Sequence, residues 1–177
     1  MAARKSMMER CVSRIFKSKK KFLLMHLFDR KLREKWKSYL WQSGAATLAI
    51  FLILLIFTEL TNVVIVAAVG ATTFTVFAIP KHYTARARNV IGGHIFGTGM
   101  GLLFFNIHSL LVGGSLAVGA TMLLMVITNT EHPPAAGTAL GLIVSPSLGG
   151  VGFILGSAFG LSLIKRAMDP WMEDLAG

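Results

Sequence analysis

Between Tyr39 and Arg166 the chain carries charge only at Glu59, Lys81, Arg86, Arg88, Glu131, Lys165 and Arg166. The apolar runs between these marks approach or exceed the roughly 18 residues that a helix needs to cross a bilayer. In hydrocarbon every backbone N–H and C=O must be bonded within the protein, which leaves helices or closed barrels. The runs are rich in Leu, Ala, Gly and Phe and lack the in-out alternation of barrel strands. The expected fold class is therefore an all-α polytopic membrane protein.

Charge divides the chain into three parts. The first 37 residues hold 13 of the 18 Lys and Arg, so the net charge of +10 belongs to an arm and does not indicate a nucleic-acid surface. Residues 1–38 read as a basic cytoplasmic or interfacial arm whose short apolar block (residues 22–28) lies on anionic lipids, with Trp36, Tyr39 and Trp41 at the interface. An organelle transit peptide is the alternative for that arm. Residues 39–166 form the membrane domain and residues 167–177 a short cytoplasmic tail. Cys11 is single, so no disulfide closes within the chain.

Six segments are expected, over about residues 40–58, 63–79, 89–111, 115–128, 133–144 and 148–164. The excess of positive charge on cytoplasmic loops puts the arm, the 81–88 loop and the 165–166 end on one side. That holds only if residues 133–144 cross the membrane. Yet some twelve helical residues cover about 18 Å at 1.5 Å each, against a hydrocarbon core of about 30 Å. Re-entry is the other possibility, and it would put Lys165 and Arg166 outside. A weak internal similarity favours crossing. Gly70-Ala-Thr-Thr73 before Pro80 resembles Gly137-Thr138 before Pro146. Each is followed by a segment with glycines four apart, Gly93, Gly97 and Gly101 in one and Gly152, Gly156 and Gly160 in the other. Such glycines share a helix face and suit close helix packing, within a subunit or between subunits. The halves would form a 3+3 inverted repeat with a short or broken second helix in each. A homo-oligomer is expected.

The stretch from Thr128 to Pro146 concentrates the polar chemistry. Glu131 and His132 precede Pro133 and Pro134, and proline suits the first turn of a helix. The N–H groups of Ala135, Ala136 and Gly137, beside the Thr138 hydroxyl, are then available to an anion. The plainer alternative is a helix start in a tight loop. Asn89, Gly92, Gly93 and His94 are the groups that could join the set. His94 and His108 are 14 residues apart on one predicted helix, about 21 Å along its axis, too far to share a metal. No His-x-x-x-His, cysteine cluster, carboxylate constellation, nucleophile-base pair or phosphate-cradling Gly-Lys-Ser/Thr loop occurs. No enzyme activity, metal or cofactor is expected.

His132-Pro133-Pro134 with its Ala/Gly/Thr run resembles the motif of the HPP family of integral membrane proteins. Residues 69–80 resemble that family's first conserved block, and Arg88-Asn89-Val-Ile-Gly-Gly-His94 its second. Cyanobacterial and chloroplast members are associated with nitrite transport. The resemblance implies a small transporter of a monovalent inorganic anion, of which nitrite is one. In that reading the Pro133 helix start donates to the anion, His132 supplies a proton-dependent charge, Glu131 couples a proton, and Thr72, Thr73 and Thr138 line the path. The competing reading is a non-transporting scaffold or lipid-handling module tethered by the arm. Deletion of residues 1–37 separates the two.

Overall fold

The computed structural model describes residues 32–57, 63–107 and 109–176, and for residues 32–34 the backbone alone. The basic arm up to residue 31, Glu59, Asn62 and His108 lie outside the described residues. Among the described residues six α-helices follow one another: α1 (Leu32–Phe57), α2 (Val63–Ala78), α3 (Ala87–Phe104), α4 (Ser115–Thr128), α5 (Pro134–Val144) and α6 (Leu148–Met168). Short 3-10 turns lie at Tyr83–Ala85 and Asp169–Trp171, and a π-helical turn at Leu110–Gly114 leads into α4. No strand occurs among these residues. Non-helical backbone at Lys35 (φ −116°, ψ 19°) interrupts the first turns of α1. The chain divides after Tyr39 into two units, and the helical bundle belongs to the second, which begins at Leu40.

The third helix is shorter than the 89–111 expected. It ends at Phe104, and the chain turns and restarts where the Ser109 hydroxyl accepts from the Val112 N–H. An added Cβ at Gly113 would lie 3.0 Å from the Ile107 carbonyl and 3.1 Å from the Phe104 carbonyl, so the turn closes directly on the end of α3.

Contacts at the helix ends establish the direction of every helix. At one end the Gln42 amide donates to the Phe77 carbonyl (2.6 Å) and the Glu173 carbonyl (2.9 Å), while its oxygen accepts from the Glu173 N–H (3.1 Å). At that same end Lys81 donates from its N–H to Asp174 (2.9 Å) and from Nζ to the Asp169 carbonyl (2.9 Å), and Arg88 donates to the Thr128 carbonyl (2.7 Å). The Gln42 turn of α1, the end of α2, the start of α3 and the ends of α4 and α6 thus meet there. At the other end Ile65 packs on Gly141 and Gly150, and Leu142 on Gly101. Helix α5 starts near Gly93 and finishes against Ile65, so it traverses the bundle rather than re-entering. All six segments alternate in direction, and the 81–88 loop lies at the same end as Lys165.

Among the described residues three stretches, Lys35–Ile56, Leu110–Thr128 and Leu148–Trp171, are long and apolar enough to span a bilayer unaided. Helices α2 (16 residues) and α5 (11 residues) are about 24 and 16 Å long at 1.5 Å per residue. They sit antiparallel in the interior. A Cβ at Gly137 would lie 3.3 Å from the Ala68 Cβ, and one at Gly141 2.6 Å from Ile65 Cγ1. Helix α3 covers α5, α6 covers α2, and α3 also meets α6. Among α2, α3, α5 and α6 this pairing maps onto itself when α2 is exchanged with α5 and α3 with α6, as a 3+3 repeat requires of those four helices. The apolar core runs through Ile65, Val69, Val76, Val90, Leu142, Phe153, Ile154 and Leu161. Leu55, Leu103, Leu111, Ile127 and Phe159 point outward, which suits lipid.

The two glycine stripes differ. A Cβ at Gly93 would lie 2.8 Å from His132 Cβ, one at Gly97 would meet the Ala135 carbonyl, and one at Gly101 would lie 2.8 Å from the Ala139 carbonyl. These are the seats of α5 on α3. Gly152 and Gly160 face open space and Gly156 is exposed, so the second stripe does not pack within the described chain. Helix α6 instead turns Gly150, Phe153, Ile154, Ser157, Ala158 and Leu161 inward.

Candidate functional site

Helix α4 ends on Asn129 in the left-handed conformation (φ 55°, ψ 50°), its N–H turned back to the Met125 and Val126 carbonyls. Asn tolerates this conformation better than most non-glycine residues. The reversal carries Thr130, Glu131 and His132 across the start of α3. Gly92 and Gly93 make room for them: side chains there would lie 2.9 Å from Thr130 Cγ2 and 2.8 Å from His132 Cβ. The Asn89 amide donates to the Glu131 carbonyl (3.2 Å) and anchors the crossing.

Fully buried His132 comes to rest beside fully buried His94 and Thr72. The rings of His94 and His132 stand edge to face with centroids 5.1 Å apart. Thr72 Oγ1 lies 2.8 Å from His94 Nε2 and 3.1 Å from His132 Nε2. His94 Nδ1 is 2.8 Å from Thr138 Oγ1. His132 Nδ1 is 2.9 Å from the Thr84 carbonyl, and a carbonyl only accepts, so that nitrogen carries the proton. Helices α2, α3 and α5, the 3-10 turn and the α4–α5 connection each contribute one group. Two imidazoles deep in an apolar helical unit are costly to keep unless they serve a purpose.

The structure brings together Asn89, Gly93, His94, Glu131, His132, Thr138 and Thr72 from among the residues expected at the site. It does not bring Gly70 or Thr73. Gly70 is exposed with nothing within 4 Å of an added Cβ, and Thr73 turns its hydroxyl back to the Val69 carbonyl (2.9 Å). Gly137 packs on Ala68, away from the imidazoles.

The expected anion seat at the start of α5 is also corrected. The Ala135 N–H donates to the His132 carbonyl (3.0 Å) and the Ala136 N–H to the Pro133 carbonyl (3.2 Å). Pro133 already has helical angles (φ −51°, ψ −37°). The preceding carbonyls therefore fold onto the donors that a free helix start would present.

A crevice of about 260 Å³ reaches the site between α4 and α5, lined by Val118, Met122, Met125, Val126, Glu131, His132, Pro133 and Ala136. Glu131 Oε2 is buried there without a hydrogen-bond partner. Among the described residues no three His, Cys, Asp or Glu side chains converge as metal ligands. Sequence reasoning missed Thr84 and Ala68. Both act through backbone carbonyls, which leave no mark on residue type.

A family model described as HPP, transmembrane region, matches residues 31–167. A transmembrane protein of Dictyostelium discoideum is 33% identical over 82 residues, covering 44% of this chain and 29% of that protein. The chain thus spans less than a third of that relative's length in the match. No solved structure matches.

Proposed function

Because the chain belongs to the HPP transmembrane family and is an integral membrane protein, we propose that it carries a small monovalent anion across the bilayer, with nitrite the leading substrate. The observation that supports this reading is the buried His94–Thr72–His132–Thr138 cluster where α2, α3 and α5 meet. A polar site enclosed by short central helices is a common plan for secondary carriers. Since the first N–H groups of α5 are consumed internally, recognition of the anion falls to the imidazole and hydroxyl groups. A protonated His132 offers charge, and movement of α5 against α3 opens the site. The basic end, with Lys81, Arg86 and Arg88, faces the cytoplasm by the charge rule for loops. Both ends of the six-helix unit lie on that side. The arm holds anionic lipid, and the outward glycines Gly152, Gly156 and Gly160 pack a second copy.

Nitrite-driven flux into proteoliposomes, with a pH gradient imposed or absent, tests the reading. Wild-type flux that disappears in His132→Ala supports it. Absence of wild-type flux for nitrite, nitrate, formate and chloride refutes it.

A further inference from the structure

The buried cluster makes five hydrogen bonds. Thr72 Oγ1 bonds the Ala68 carbonyl (3.0 Å), His94 Nε2 (2.8 Å) and His132 Nε2 (3.1 Å). Thr138 Oγ1 bonds His94 Nδ1 (2.8 Å), and His132 Nδ1 bonds the Thr84 carbonyl (2.9 Å). Each bond needs one proton between its atoms. A threonine brings one O–H and a neutral imidazole one N–H, so two threonines and two neutral histidines bring four protons to five bonds.

The fixed ends decide where the deficit falls. The Thr84 carbonyl claims the His132 Nδ1 proton, which leaves Nε2 bare. The Thr72 hydroxyl must then donate to His132 Nε2, since two lone pairs would otherwise face each other. His94 donates from Nε2 to Thr72, and Thr138 donates to His94 Nδ1. Ala68 goes without the hydroxyl, at little cost, because its carbonyl lies within α2 and keeps its helical N–H partner. One proton added to His132 Nε2 completes the set: Nε2–H donates to Thr72 Oγ1, and the Thr72 hydroxyl turns to Ala68. A proton added to His94 instead leaves either Ala68 or His132 Nε2 unserved. The full set of five bonds therefore corresponds to a cationic His132 and a neutral His94.

We infer that this cluster is a store for a single proton, carried on His132 Nε2, with rotation of the Thr72 hydroxyl from His132 to the Ala68 carbonyl as the switch. The inference rests on the transport reading and assigns proton coupling to His132 and Thr72 rather than to Glu131. In the uptake step an O–H bond of a hydronium ion in the crevice breaks and an N–H bond forms at His132 Nε2. Water is left behind, the site gains one positive charge, and no electrons are transferred. Helices α2, α4 and α5 carry no ionisable side chain. The groups that act on the stored charge are His94 on α3, Glu131 in the same crevice, Tyr83 on the 3-10 turn, and Lys81, His82, Arg86 and Arg88 at the basic end. Of these, His82 Nδ1 bonds Thr84 Oγ1 (2.8 Å), Lys81 pairs with Asp169 (3.5 Å) and Arg88 bonds the Thr128 carbonyl.

Nitrogen-15 NMR of histidine-labelled protein in lipid nanodiscs, titrated between about pH 8 and 4, tests the store without any substrate. Signals are assigned by difference against His94→Asn and His132→Asn. The expected result at high pH is His132 as the Nδ1–H tautomer and His94 as the Nε2–H tautomer. On acidification His132 becomes doubly protonated while His94 stays neutral. Thr72→Val removes the acceptor for Nε2–H, so His132 should need about tenfold more acid to charge, one unit of pH, and Thr72→Ser should restore the wild-type titration. An Nε2–H tautomer for neutral His132, a His132 that stays neutral throughout, or a Thr72→Val protein titrating like wild type would overturn the inference. If Thr72→Val does not fold, the wild-type tautomers decide. Nitrite flux measured in parallel keeps the two claims apart. Titration as expected without flux upholds the store and removes the transport reading, whereas pH-dependent flux with an untitrated His132 removes the store alone.

Discussion

Gly97→Ala is the sharpest probe of how this bundle is held. The new methyl group would sit 3.2 Å from Thr138 Cβ and 3.2 Å from the Ala135 carbonyl carbon, with the carbonyl oxygen closer still. Ordinary carbon contacts lie near 3.5–4 Å, so α3 and α5 must part by roughly half an ångström or more. Overpacking of this kind costs about 1–3 kcal/mol. Contact with a backbone carbonyl, which cannot swing aside, puts the cost at about 2–3 kcal/mol, and replacing a helical glycine by alanine returns up to about 1 kcal/mol, so a net loss of about 1–2 kcal/mol is expected. At about 2–4 °C per kcal/mol for a chain of this size, the Tm should fall by roughly 2–8 °C. The assay is thermal unfolding in detergent micelles followed by near-ultraviolet circular dichroism. Gly99→Ala, where nothing lies within 4 Å of the new Cβ, is the control and should match or exceed wild type. Parting the helices also stretches the 2.8 Å bond between His94 and Thr138, so flux should fall further than stability. A Gly97→Ala protein as stable as Gly99→Ala would refute the claim that α5 is seated on the α3 glycines.

Four smaller tests probe other contacts. Gln42→Ala removes the amide that bonds Phe77 and Glu173 and takes the donor from the buried Phe77 carbonyl, so a loss of about 1–3 kcal/mol is expected, read as a fall in Tm. Asn129→Ala places a poor left-handed former at φ 55° and should cost about 1 kcal/mol, while Asn129→Gly should be close to neutral. Gly152→Ala should leave the melting of a monomer unchanged or slightly raised, because the new methyl meets open space and alanine is the better helix former; any adverse effect should appear in the oligomer distribution by cross-linking. Lys81→Ala breaks an exposed 3.5 Å ion pair with Asp169 and should cost less than about 1 kcal/mol, and less again at high salt.

Much of the architecture is legible in the sequence because lipid imposes strict rules. The span expected over residues 115–128 is α4, and the short segment expected over 133–144 is α5, Pro134–Val144. Charge and prolines mark such boundaries directly. The end of α3 is less legible, since Phe104, Phe105 and Asn106 carry no breaker and the turn depends on Gly113 closing onto the carbonyls of Phe104 and Ile107. The glycine stripes show the limit of periodicity. Gly93, Gly97 and Gly101 share a spacing with Gly152, Gly156 and Gly160, yet among the described residues only the first set packs against another helix. Spacing says that residues share a face; which face turns inward depends on the helices that pack against it.

Residue types in order were enough to read an all-helical membrane chain, six segments and His132 as a candidate site residue, because the cost of burying ionisable groups and the length of apolar runs are properties of the residues themselves. The tertiary structure alone decided that His94 and His132 meet through Thr72, since these residues lie 22 and 60 positions from it along the chain. It also decided that the α5 start donates inward and that the Thr84 carbonyl selects the His132 tautomer. Those outcomes depend on helix directions and on backbone carbonyls that every residue shares, so no pattern of side chains announces them.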